Sequence, residues 1–163
     1  MSTTLELISH SPEETQSIGR LLGAKAQPGD VFLLVGPLGA GKTCLTQGIA
    51  WGLGVKEHAR SPTFVLVTRY KGRLTIHHVD LFRIEDAAEA VDLGLDEYLN
   101  GDGVCVVEWA EKASEVFSNQ CLWIEMEYGD EEPVRRLKLH TEGYRYDPLI
   151  KALAAQEGIE KCC

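Results

Sequence analysis

Clustered positive charge is the scarcest feature of this 163-residue chain: 16 lysines and arginines stand against 25 aspartates and glutamates, a formal net charge of −9. RNA and DNA are held by neutralising phosphates with grouped basic residues, so this balance argues against non-specific nucleic-acid binding. It leaves room for a basic protein partner and for one small, local positive site. Long apolar runs are missing too. No stretch approaches the ~20 residues that cross a bilayer, so no membrane partner is expected. The opening Met1-Ser2-Thr3-Thr4-Leu5-Glu6 has neither the basic nor the apolar region of a secretory leader. Cysteine is unpatterned: five residues, at 44, 105, 121, 162 and 163, with no C-x-x-C or Cys/His metal spacing. Cys44, Cys105 and Cys121 fall in apolar stretches and are expected as small core residues in a reduced, cytoplasmic compartment. A guanine-reading Asn-Lys-x-Asp motif is absent as well, which removes the small GTPases whose terminal cysteines carry prenyl groups. Residues 158–163 are therefore expected as a frayed tail. With no repeat and no linker, 1–163 reads as a single domain large enough to bury a core.

What is present is organised around one stretch. Val31-Phe32-Leu33-Leu34-Val35 is a buried strand, Gly36-Pro37-Leu38-Gly39-Ala40-Gly41 a glycine loop, and Lys42-Thr43-Cys44 the opening of a helix. Gly36, Gly41, Lys42 and Thr43 satisfy G-x-x-x-x-G-K-[ST] between a strand and a helix, the context a phosphate-binding loop requires. Glycines allow successive amides to converge on a phosphate, and the helix start adds the positive end of its dipole there. Lys42 supplies a mobile charge for the β- and γ-phosphates, and the Thr43 hydroxyl is placed to ligate Mg²⁺. Residues Leu38, Gly39, Ala40, Gly41, Lys42, Thr43 and Cys44 are the expected nucleotide contacts, with a nucleoside triphosphate as the ligand.

Around this stretch, residues 4–8 alternate as an edge or half-buried strand. Ser11-Pro12-Glu13-Glu14 has the form of a capped helix start, with the helix running to about 26. Residues 60–63 read as a loop, because Pro62 pushes Ser61 out of helical geometry. Residues 64–70 and 74–79 form a hairpin, 85–91 a short acidic helix, and a leucine-rich turn continues to 99. A strand at 104–107 and helical structure over 110–117 follow. Two antiparallel strands, 121–128 and 134–141, and a closing helix over 148–156 complete the chain. The fold class expected is α/β, a three-layer α/β/α domain of the P-loop NTPase kind with a mixed parallel and antiparallel sheet.

Turnover also needs acids for the metal and for the attacking water. Glu108 ends the apolar run Val104-Cys105-Val106-Val107, and Asp80 ends Ile76-His77-His78-Val79. Both sit where open α/β sheets place ligands, at the carboxyl ends of strands. Thr63 is a candidate switch-loop hydroxyl, and Trp109 packs on that loop, on a partner or in the core. His77 and His78 are neighbours in a strand and face opposite sides, which defeats a joint metal site and favours core or hydrogen-bonding roles.

Together Gly36-to-Thr43, Ser61-Pro62-Thr63-Phe64, His78-Val79-Asp80-Leu81-Phe82-Arg83 and Val107-Glu108-Trp109 resemble the bacterial TsaE (YjeE) ATPases of tRNA threonylcarbamoyladenosine synthesis. The resemblance runs over most of the chain, and the ordered combination of all four motifs is specific where the glycine loop alone is not. It implies catalytic roles for Lys42, Thr63, Asp80 and Glu108, and Mg²⁺ held by Thr43, Asp80 and Glu108. Trp109 would lie near the nucleotide or its gate, and Ser11, in Ser9-His10-Ser11, would wall the adenine pocket. The family usually has tyrosine where this chain has Phe82. The resemblance also implies a TsaB–TsaD heterodimer as partner, tRNA engaged only indirectly, and weak ATPase activity in the isolated chain. A small-molecule kinase and a nucleotide-dependent binding switch remain open readings; the former would need an arginine-rich lid, and only Arg135-Arg136 is near that description.

Overall fold

A computed structural model describes residues 2–59, 67–118 and 120–162. Within them one eight-stranded sheet runs in the order β3-β4-β5-β2-β6-β7-β1-β8. The strands are β1 (Ser2–Ser9), β2 (Val31–Val35), β3 (Val67–Lys71), β4 (Thr75–Asp80), β5 (Val104–Glu108), β6 (Leu122–Tyr128), β7 (Arg135–Glu142) and β8 (Glu160–Lys161). The helices are α1 (Pro12–Lys25), α2 (Lys42–Gly52), α3 (Ala87–Asp92), α4 (Leu95–Leu99) and α5 (Asp147–Ala155), with a 3₁₀ helix over Ala110–Val116. The central strands β4, β5, β2 and β6 are parallel, while β3, β7, β1 and β8 pair antiparallel. This is the expected mixed sheet.

The parallel strands are apolar on both sides because helices cover both faces. Phe32 and Leu34 of β2 pack beneath α1, α2 and α5 with Ile18, Leu45 and Leu153. Val31 and Leu33 face the other way, toward Ala90, Leu95, Ala113 and Phe117. Each such side chain contributes roughly 1.5–3 kcal/mol by leaving water. The three-layer expectation holds over this centre only. In β6, β7 and β1 the outward residues Glu125, Glu127, Arg136, Lys138 and Glu6 are exposed, so that half of the sheet carries helices on one face alone.

α1 starts as its sequence dictates: the Ser11 side chain accepts from Glu14 N at 3.1 Å, with Pro12 in the first turn. It lies against α2 so closely that a Cβ on Gly48 would stand 2.2 Å from Gln16 O. Two expectations are corrected. The turn through 99 contains α4, capped by Gly94 in the left-handed region at φ 77°. The tail expected to fray from 158 pairs instead, Glu160 and Lys161 forming β8 on Ile8 and Leu7. β1 is half-buried, one of the two readings expected for it, and β8 stands at the sheet edge beside it.

Candidate active site

The sheet brings three strand ends together. β5 lies between β2 and β4, with Glu108 in register with Leu34 on one side and Asp80 on the other. The glycine loop leaves β2 at this level, so both acids emerge beside it, as the apolar runs before them suggested.

The two long helices next to the loop start very differently. α1 has acids at Glu13 and Glu14 in its first turn and a side-chain cap. α2 has no acid in its first turn and no side-chain cap, and its cap residue is Gly41 at φ 106°, a left-handed conformation open to glycine. Uncapped amides and the positive dipole end are therefore left for an anion. The loop is held from outside by the β6–β7 hairpin: the Tyr128 hydroxyl donates to Leu38 O, and Arg135 Nη2 donates to Gly39 O at 3.3 Å. A carbonyl and the following N–H point oppositely across a planar trans peptide, so drawing these oxygens outward turns the next amides inward. Glu132 in turn holds Arg135 at 3.0 Å. Tyr128 was not anticipated as a site residue, and Arg135 entered only in the Arg135-Arg136 pair weighed as a kinase lid; their hairpin was expected.

Lys42 Nζ lies back in the loop, donating to Gly36 O at 2.6 Å and Pro37 O at 2.8 Å. It also stands 3.9 Å from the centroid of the Trp109 ring. Burial lowers its pKa, against the opposing charges of Glu108, Glu111 and Asp80. Trp109 itself has φ 61°, which is rare for a bulky residue and turns the chain sharply at the end of β5. Its ring packs on Phe82 at 4.9 Å, and Lys112 Nζ donates to Phe82 O at 2.6 Å.

Thr43 Oγ1 donates to Glu108 Oε1 at 3.0 Å and lies 3.3 Å from Oε2. Thr46, one turn further along α2, places its hydroxyl 3.3 Å from the same Oε2, and His78 Nε2 meets Oε2 at 2.5 Å. Asp80 is buried and accepts from Phe82 N at 2.9 Å. Burial, with Glu108 alongside, pushes its carboxyl above the ordinary range, while the Phe82 amide pulls the other way.

Lys42, Thr43, Asp80, Glu108 and Trp109 are thus gathered at one place. Leu38 stands at the loop tip, 72 % exposed, and Ala40 is buried beneath it. Cys44 donates its thiol to Pro12 O at 3.3 Å, which sets the start of α1 beside α2; the Ser11 hydroxyl is occupied as the α1 cap. Thr63 lies outside the described residues. The chain leading to it is held against α2, where Gln47 Oε1 accepts from Ala59 N at 2.5 Å.

A family model described as "Threonylcarbamoyl adenosine biosynthesis protein TsaE" matches residues 9–137, a span that contains every candidate residue named above. The protein called tRNA threonylcarbamoyladenosine biosynthesis protein TsaE in Bacillus subtilis is 44 % identical over 151 residues, covering 91 % of this chain and 93 % of that protein. This chain belongs to the TsaE family. The Treponema pallidum TsaE is 42 % identical over 110 residues, 68 % of this chain and 82 % of its own length. The crystal structure of Bacillus subtilis YdiB superposes with a TM-score of 0.82 at 37 % identity, covering 94 % of this chain and 96 % of that one. In this TsaE-family chain, Phe82 retains the ring packing on Trp109 without a hydroxyl.

Proposed function

We propose that this protein binds and hydrolyses ATP in support of threonylcarbamoyl modification of adenosine 37 in tRNAs reading ANN codons. The observation that carries the reading is the Thr43–Glu108 contact of 3.0 Å, which joins the start of the glycine-loop helix to an acid at the end of β5. Phosphate cradle and carboxylate then serve one substrate.

Thr43, Glu108 and Asp80 offer a hydroxyl and two carboxylates, the hard oxygen donors that suit Mg²⁺. No group of three or more His, Cys, Asp or Glu among the described residues is arranged to hold a metal. Mg²⁺ would take few protein ligands here and complete its shell with substrate phosphate and water. The chemistry supplied by bound Mg²⁺ is neutralisation of charge between the β- and γ-phosphates. In this reading Lys42 leaves the carbonyls of Gly36 and Pro37 for the phosphates, and the loop amides orient them. Glu108 positions the attacking water and accepts its proton. Trp109 covers the site against bulk water, and Thr63 supplies a hydroxyl.

The modification itself belongs to a TsaB–TsaD pair, and this chain supports its turnover; tRNA is engaged through that pair, in keeping with the net charge of −9. The chain works in the cytoplasm, consistent with the unbridged thiols of Cys44, Cys105 and Cys121. Phosphate release measured with and without a purified TsaB–TsaD pair tests this. Slow release by the chain alone, stimulated by the pair, is the expected result. Phosphorylation of an added small acceptor, or release indifferent to the pair, would overturn it.

A further inference from the structure

We propose that His78 is the positioning residue that aims the Glu108 carboxylate at the glycine loop, an inference that rests on the ATPase reading above. The two side chains are 0 % and 2 % exposed, and their contact is 2.5 Å. The sheet register makes the contact possible. His78 pairs with Val106 and Asp80 with Glu108, so His78 lies on the same face as both acids, one pleat further in.

A glutamate has three rotatable side-chain bonds, and a buried carboxylate is retained only where donors hold it. The donors around Glu108 are not equivalent. The Thr46 hydroxyl has a single proton and lies nearer Lys42 O, at 2.9 Å, than Glu108 Oε2, at 3.3 Å. Its proton is therefore committed to its own helix. Thr43 is closer to Oε1 than to Oε2. Among the described residues His78 is left as the donor that fixes Oε2, and fixing one oxygen turns the other toward Thr43. Among the described residues the remaining ring nitrogen, Nδ1, is buried without a hydrogen-bond partner, and a proton on Nε2 is the one that Glu108 Oε2 can accept. Outer-shell histidine–carboxylate contacts of this kind act by orientation, and their loss typically costs about 10- to 100-fold in activity or metal affinity.

The test uses the full chain in two measurements. With the TsaB–TsaD pair present, His78→Leu lowers kcat for phosphate release by about 10- to 100-fold, with the KM for ATP little changed. His78→Gln, whose amide nitrogen reaches the place of Nε2, recovers most of the rate. Without nucleotide, imidazole proton–nitrogen NMR spectra show the proton of His78 on Nε2, far downfield, and Glu108→Gln moves it upfield. Equal losses in the Leu and Gln variants, a loss that only tracks the folded fraction, or a proton on Nδ1 overturns the proposal. If the wild-type chain hydrolyses no ATP under any condition, the function reading fails, while the NMR measurement still decides whether His78 holds Glu108.

Discussion

The ammonium of Lys42 lies 3.9 Å from the centre of the Trp109 ring while donating to two carbonyls of its own loop. The cation sits in the space the loop encloses, where ring and carbonyls replace water. In the proposed ATPase, Lys42 leaves the indole for the phosphates. With Trp51 and Trp123 replaced by phenylalanine, Trp109 emission should change saturably with ATP. The same titration of a Lys42→Met chain should leave it flat; a matching response would mean that the ring senses something other than the lysine.

Asp80 is a buried carboxyl whose surroundings disfavour its charge. Burial raises its folded pKa above the unfolded one, so the native state binds the proton more tightly. Stability then declines as pH rises from the unfolded carboxylate range through the folded value, and stays lower above it. Asp80→Asn keeps an oxygen for the Phe82 amide and removes the charge. The variant should be more stable than the parent by about 1 kcal/mol at neutral pH. That advantage should vanish in acid, and hydrolysis should fall. Urea unfolding of both chains between acid and neutral pH measures the difference, and a gap that widens toward acid would contradict the sign.

Gly48 decides how closely α1 and α2 can approach. Alanine inside a helix normally stabilises by about 1 kcal/mol over glycine, but here its Cβ would sit 2.2 Å from Gln16 O, a backbone atom that cannot swing away. The helices must part, and overpacking of this kind costs about 1–3 kcal/mol. Gly48→Ala should therefore lower the Tm, by calorimetry, despite its better helix propensity. A raised Tm would show that the seam is slack.

The parts of this molecule visible in its sequence are those set by neighbours along the chain. Val31–Val35, the glycine loop and Lys42–Gly52 follow from an apolar run, glycines and a helix start, and the structure places them as expected. Glu108 could be found because it ends a fully apolar strand. Contacts between distant segments were not legible. His78 read as a hydrogen-bonding strand residue, yet its partner lies 30 positions away and only the β4–β5 register unites them. Tyr128 and Arg135 look like ordinary hairpin residues until the hairpin is laid over Leu38 and Gly39. Glu160 and Lys161 lack strand character of their own and are ordered by pairing with β1. The unanticipated pieces are the ones in which tertiary pairing outweighs local propensity.

The most direct measurement compares ATP binding and ATP hydrolysis in Glu108→Gln. The substitution keeps the shape beside Thr43 and takes away the carboxylate that the account assigns to the water. The variant should bind ATP with nearly the parent affinity while its TsaB–TsaD-stimulated phosphate release drops about 100-fold or more. Undiminished release from a chain that still binds ATP would contradict the account at its centre.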